Sequence, residues 1–164
     1  MRVMIALVSV LLISLAAAAG PAAPVDDDAD DLVGVWKLQT FRLQVVGEAP
    51  QEVFGPHAKG YLIFTAEGRM MTILTRADRQ PATTMEDRAA LLQSMIGYTG
   101  RYTVENDRIT TTPDVAWNEI YSCTEQVRYY TLSGDTLAIR TAPQPSGVLP
   151  GKKVVGTLTY ERER

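Results

Sequence analysis

Along most of the chain apolar and polar residues alternate with the two-residue period of a β-strand, and turn residues break the alternation at short intervals. VGVWKLQTFRLQVV, residues 33–46, reads as a long first strand. GYLIFT (60–65) and RMMTILTR (69–76) follow, joined by AEG, a hairpin turn ending in glycine. After one change of period come YTGRYTVEN (98–106), RITTTPDV (108–115), TEQVRYYTL (124–132), DTLAIRTA (135–142) and VVGTLTYERE (154–163). END and SGD mark tight turns, and QPSGVLPGK a longer connection before the last strand. The count is eight strands, mostly antiparallel to their neighbours in sequence. Eight is the number at which a sheet closes around side chains or one small ligand, and closure removes the exposed edges that invite aggregation. The expected fold is therefore all-β, an eight-stranded antiparallel barrel.

The change of period falls in TTMEDRAALLQSMIGYTG, residues 83–100. Thr84 is placed to cap a helix, and Glu86 and Asp87 sit in a first turn where the helix dipole favours anions. Leu91, Leu92, Met95 and Ile96 make an apolar stripe at helical spacing, and Gly97 is placed to end it. One short helix is thus expected between strands 3 and 4.

Phasing each strand from its clearest face gives a predicted interior. The first strand contributes Trp36, Leu38, Thr40 and Arg42; the fourth Tyr98, Gly100, Tyr102 and Val104; the fifth Ile109, Thr111 and Val115. Gln126, Arg128 and Tyr130 come from the sixth, Leu137 and Ile139 from the seventh, and Leu158, Tyr160 and Arg162 from the last. The second strand is apolar on both faces and has no readable phase. An apolar lining with a few tyrosines, threonines and guanidiniums is the composition of a small-molecule pocket. The expected ligand-binding residues are Arg128, Tyr130, Gln126, Tyr98, Tyr102, Thr111 and Arg42, with Trp117 from the segment VAWNEIYSC (115–123). That segment, which also carries Tyr121, either closes the cavity mouth or covers the outside of the barrel.

Arg128 has two uses open to it. It can meet a carboxylate or enolate on a ligand with two parallel hydrogen bonds. Equally, it can serve the fold, by pairing with Glu119 or Glu125 or by stacking on an aromatic ring.

The chain ends add a compartment. MRVMIALVSVLLISLAAAAGPAAP has a cation at Arg2, an apolar run from Val3 to Leu15, and Ala17 and Ala19 at the small positions of a cleavage site. Residues 1–19 read as a secretory signal peptide, and the apolar run is short for a membrane span, although retention as an N-terminal anchor is its other use. PVDDDADD then reads as a flexible acidic linker over residues 20–31, leaving residues 32–164 as the barrel domain. The protein is expected to be exported, to the periplasm or beyond the cell, with no membrane attachment after cleavage.

Charge and rare residues narrow the chemistry. The formal net charge of -3 disfavours nucleic acid as a partner. One cysteine, Cys123, and one histidine, His57, leave no basis for a metal site or a haem, so no cofactor is expected. Cys123 reads as a small, partly buried residue, and His57, in FGPHAKG, as a solvent-exposed loop residue. With a single histidine and no G-x-S-x-G turn, a hydrolytic triad has no parts to build from.

LVGVWKL (32–38), GPHAKGYLIFTAEGRM (55–70), YTGRYTVENDRI (98–109) and DVAWNEIYSCTEQVRYYTLSGDTLAI (114–139), with the closing LTYERE, resemble the lipocalin-like domain family of mostly uncharacterised bacterial and fungal proteins. The resemblance implies a lipocalin-like eight-stranded barrel with an interior cavity, and no shared reaction. Gly34-x-Trp36 also resembles the motif that opens the first strand of true lipocalins, which implies structural roles for Gly34, Trp36 and Arg162, the arginine covering the tryptophan. Where many members of the resembled family carry a histidine and a glycine, this chain has Thr111 and Cys123, so the resemblance implies no chemistry that rests on that histidine.

Three functions follow as expectations. The first is an exported protein that binds a small hydrophobic or amphipathic molecule in the barrel. The alternatives are a cofactor-free isomerase or cyclase working through interior Tyr and Arg, and a protein-interaction module with a filled barrel.

Overall fold

The computed structural model describes residues 27–164, so the expected signal peptide and most of the acidic linker lie outside the described residues. The elements are α1 (Asp27–Asp30), β1 (Gly34–Val45), β2 (Lys59–Phe64), β3 (Arg69–Thr75), α2 (Met85–Gln93), β4 (Met95–Glu105), β5 (Arg108–Ala116), β6 (Gln126–Ser133), β7 (Thr136–Thr141), β8 (Gln144–Pro145) and β9 (Lys153–Arg162). Strands β1 to β7 pair antiparallel in sequence order, β7 pairs with β9, and β9 returns to β1 to close the barrel. The two-residue β8 lies beside Lys153 and Val154 of β9, beyond the end of β7, so it extends an existing stave. The expected closed eight-stranded antiparallel barrel with one short helix between β3 and β4 is what the chain forms.

Two bulges rotate parts of the predicted interior. In β1 the register passes from Leu38 opposite Tyr160 to Thr40 opposite Thr159, leaving Gln39 as the extra residue. One extra residue reverses the phase of everything after it. Phe41 and Leu43 are therefore buried, whereas Thr40 hydrogen-bonds the Thr159 hydroxyl at 2.6 Å and Arg42 turns outward to Glu52 at 3.4 Å. The second bulge lies in β5, where Thr99 faces Val115 and Gly100 faces Pro113, with Asp114 between them. Pro113 is buried, and Val115, expected inside, is 64% exposed.

The helix is capped as expected and packed otherwise. The Asp87 amide donates to Thr84 Oγ1 at 3.1 Å, and Asp87 Oδ2 accepts the Thr84 amide at 2.9 Å, a reciprocal capping box. The helix ends at Gln93, however, and none of its residues is buried. Met95 and Ile96 leave the expected stripe because they pair with Thr75 and Leu74 of β3, and Gly97 sits opposite Ile73 in that ladder instead of ending the helix. The ladder satisfies their backbone groups and brings Ile96 against the core, which a further helical turn would not do.

One end of the barrel is sealed. Trp36 is fully buried and donates its indole N–H to Leu32 O at 2.8 Å. The Arg162 guanidinium lies over its ring and donates to Val33 O at 2.8 Å and Asp31 O at 2.6 Å. Gly34 lies directly against that guanidinium: its φ is +141°, and a Cβ there would stand 2.8 Å from Arg162 Nη1. Just before this plug, α1 forms one helical turn and buries Ala29, so the last residues of the acidic stretch are part of the fold and not only spacer.

Candidate functional site

Toward the opposite end the barrel encloses a cavity walled by Phe41, Leu43, Leu62, Leu74, Ile96, Ile139 and Leu158. Its volume, measured for the centre of a water-sized sphere, is about 80 Å³. That is several times the roughly 10–15 Å³ that one water needs. Deep in the wall Thr72, Thr111 and Thr141 are buried, and Tyr160 is 2% exposed. Arg128, Tyr98, Tyr121, Gln144, Ser146 and Gly147 gather where β4 and β6 begin and β7 ends, which is the open end of the barrel.

Among the described residues, Arg128 is the one charged residue lining the cavity. Its Nη1 donates to Val127 O at 2.8 Å and Gln144 Oε1 at 3.1 Å, and its Nη2 to Gln126 Oε1 at 3.1 Å and Tyr98 Oη at 3.4 Å. All four acceptors are neutral. Neither Glu119 nor Glu125, the partners suggested by sequence, takes part. The guanidinium is thus held in place without having its charge cancelled, which is the arrangement that a ligand anion completes.

Two tyrosines near it are shifted away from ionisation. Burial pushes the Tyr121 phenol up from its ordinary pKa, against the Gly147 N–H and the Arg128 charge, which pull it down. Burial also pushes Tyr160 up strongly, with Tyr98 adding to the rise. A tyrosine serving as base needs the opposite shift, so these two hydroxyls suit hydrogen bonding better than proton abstraction. His57 lies on the β1–β2 loop, exposed and outside the cavity lining.

The residues expected at the site are divided by the structure. Arg128, Tyr98 and Thr111 line the cavity. Gln126 is buried beside it, accepting from Arg128 and donating to Thr124 Oγ1 at 2.7 Å, so its place is to position the guanidinium. Trp117 rests on the Tyr121 ring, with centroids 4.8 Å apart, behind the cavity wall. Tyr102 belongs to the sealed half, packed edge-on against Phe64 and bonded to Thr65 O. Tyr130 packs against the core away from the cavity, its amide donating to Asp107 O. Arg42 is outside, for the reason already given.

Gln144, Ser146, Gly147 and Val148 reach the cavity with no signal in the sequence, from a stretch legible only as a turn. The segment 115–123 does reach the mouth, through Tyr121. Its ring stacks nearly parallel to Tyr98 at 6.0 Å, and its hydroxyl accepts the Gly147 amide at 3.2 Å, which links the two loops over the opening. Cys123, read as partly buried, is exposed, with φ of +56° and its amide on Pro113 O. That left-handed backbone is one that glycine adopts freely.

Residues 33–163 match the lipocalin-like domain family. The chain belongs to that family. A lipocalin-like barrel generally binds small hydrophobic ligands. No functionally curated protein matches the chain. Two solved structures are similar in shape. One, a redesigned β-barrel, has 13% identity and a TM-score of 0.42, covering 83% of this chain and 95% of its own. The other, an uncharacterised protein from Bacteroides eggerthii DSM 20697, has 14% identity and the same TM-score, covering 81% of this chain and 100% of its own.

Proposed function

We infer that this lipocalin-like protein is an exported binding protein for a small amphipathic molecule, with the apolar body inside the barrel and an acidic head on Arg128. The observation that carries this reading is the Arg128 guanidinium: among the described residues the single charge lining an apolar cavity, fixed by four neutral acceptors. A narrow cavity favours a slender ligand whose head stays at the mouth, where Tyr98, Gln144 and Ser146 supply further polar contacts. Export rests on the leader-like sequence of residues 1–19. The open cavity argues against a filled interaction module, and the raised tyrosines argue against a tyrosine-based isomerase.

The test is native mass spectrometry of gently purified protein, with extraction and identification of whatever co-purifies, on the native chain and on Arg128→Ala. A stoichiometric acidic small molecule that is lost in the folded Arg128→Ala variant is the expected result. An empty native protein that also fails to take up fatty acids or aromatic acids on incubation would overturn it. A neutral molecule retained equally by both would remove Arg128 from the site.

A further inference from the structure

We propose that the groove between the β1–β2 loop, residues 76–81 and α2 is a second binding site, one that takes a small oxyanion on Arg76 and Arg79. The groove is a separate space from the barrel cavity. It offers about 690 Å³ to the centre of a water-sized sphere, against about 80 Å³ in the barrel. Between the two stands Phe54, which is 2% exposed, lines the groove, and packs edge-on against the cavity residue Phe41 at 5.1 Å.

The two arginines arrive with most of their donors unused. Among the described residues, Arg79 Nη2 to Leu91 O at 3.0 Å is the one hydrogen bond that either guanidinium makes. Arg79 Nε is shut off from solvent and has no partner. That nitrogen is out of an incoming anion's reach, but an uncompensated guanidinium is costly to hold against the fold, and an anion on the remaining Nη donors of Arg79 and on Arg76, both of which line the groove, lowers the cost. The aspartates of the groove do not fill the role. Asp87 spends Oδ2 on the Thr83 and Thr84 amides and the Thr83 hydroxyl, and Asp78 forms no ion pair with either arginine. A carboxylate or phosphate group matches the planar donors of a guanidinium fork, and both arginines line the groove. Phe54 and Leu91 offer apolar surface to whatever carries it.

His57, the only histidine in the chain, lines the same groove and gives the site its own reporter. Inorganic phosphate and benzoate are titrated separately into the purified protein at constant ionic strength, and the His57 imidazole proton resonances are followed at fixed pH. The expected result is a saturable shift with at least one anion, about ten-fold weaker in Arg76→Gln, which leaves the Arg79 bond to α2 intact. The anion that saturates names the head group. Arg128→Ala should titrate like the native protein, so the outcome is independent of the barrel reading. A shift that never saturates with either anion, or equal affinity in native protein and an Arg76→Gln/Arg79→Gln double variant, would overturn the site.

Discussion

The Arg162 guanidinium carbon lies 4.1 Å from the centre of the Trp36 ring, and the same guanidinium holds the carbonyls of Val33 and Asp31. A cation over an indole contributes up to about 2 kcal/mol when partly desolvated, and hydrogen bonds from a charged donor add to it. Arg162→Ala should therefore cost about 2–3 kcal/mol in denaturant unfolding, with ligand occupancy of the folded fraction unchanged. A loss of ligand at full stability would move Arg162 from the plug to the site. Gly34→Ala attacks the same contact from the other side, through its φ of +141° and a Cβ 2.8 Å from Arg162 Nη1. It should cost about 1–3 kcal/mol, the range for strained backbone.

The mouth has a comparable point of pressure. A Cβ on Gly147 would stand 2.8 Å from Tyr121 Cε2, 3.0 Å from its hydroxyl and 3.2 Å from Trp117 Cη2. The glycine lets the two loops close on each other, and Gly147→Ala should push the Tyr121 ring off its hydrogen bond. Stopped-flow exchange of a bound fluorescent fatty acid is expected to show faster release, by about ten-fold, which corresponds to about 1.4 kcal/mol, the scale of one lost hydrogen bond. An unchanged release rate would mean that the ligand leaves by another path.

Much of the barrel is legible in the sequence because its strands are regular. Leu137 and Ile139, Tyr102 and Val104, Leu158 and Tyr160 all face inward as their alternation requires. Phase is lost where a bulge inserts a residue without changing the alternation of the letters, at Gln39 and at Asp114. Outward apolar residues hide the phase of β2: Tyr61 lies opposite Ile73 and Ile63 opposite Met71 on the outer face, so both faces look buried. The site was half visible. Arg128 stands out as a cation on an inward face, whereas Gln144, Ser146 and Gly147 reach the cavity by a loop path that no local period encodes.

The β1 bulge makes a sharp prediction about two adjacent residues. Arg42 forms an exposed ion pair with Glu52, and such pairs contribute little. Arg42→Ala should leave both ligand binding and stability nearly unchanged. Phe41→Ala removes a buried ring from the cavity wall and should cost about 3–5 kcal/mol, with altered ligand selection in whatever folds. The reverse pattern, ligand lost in Arg42→Ala and kept in Phe41→Ala, would restore the unbulged phase. Thermal melts and ligand extraction on the two variants decide it.

The cap of α2 carries a pH dependence of its own. Hydrogen bonds from the Thr83 and Thr84 amides, joined by the threonine hydroxyls, hold the Asp87 carboxyl at about 2, below its ordinary 3.8. A folded pKa below the unfolded one means that the contribution is complete above about pH 4 and is lost as the pH falls through about 2. Because α2 buries no residue, the loss should be local. Carbon chemical shifts of residues 85–93 should move toward coil values between pH 4 and 2 while those of β4 and β5 hold. In a Thr83→Ala/Thr84→Ala double variant the Asp87 carboxyl midpoint should rise toward 3.8, with α2 already frayed at neutral pH. A native midpoint near 3.8 would show that the box does not hold the carboxylate in solution, and would leave the wall of the Arg76–Arg79 groove without its anchor.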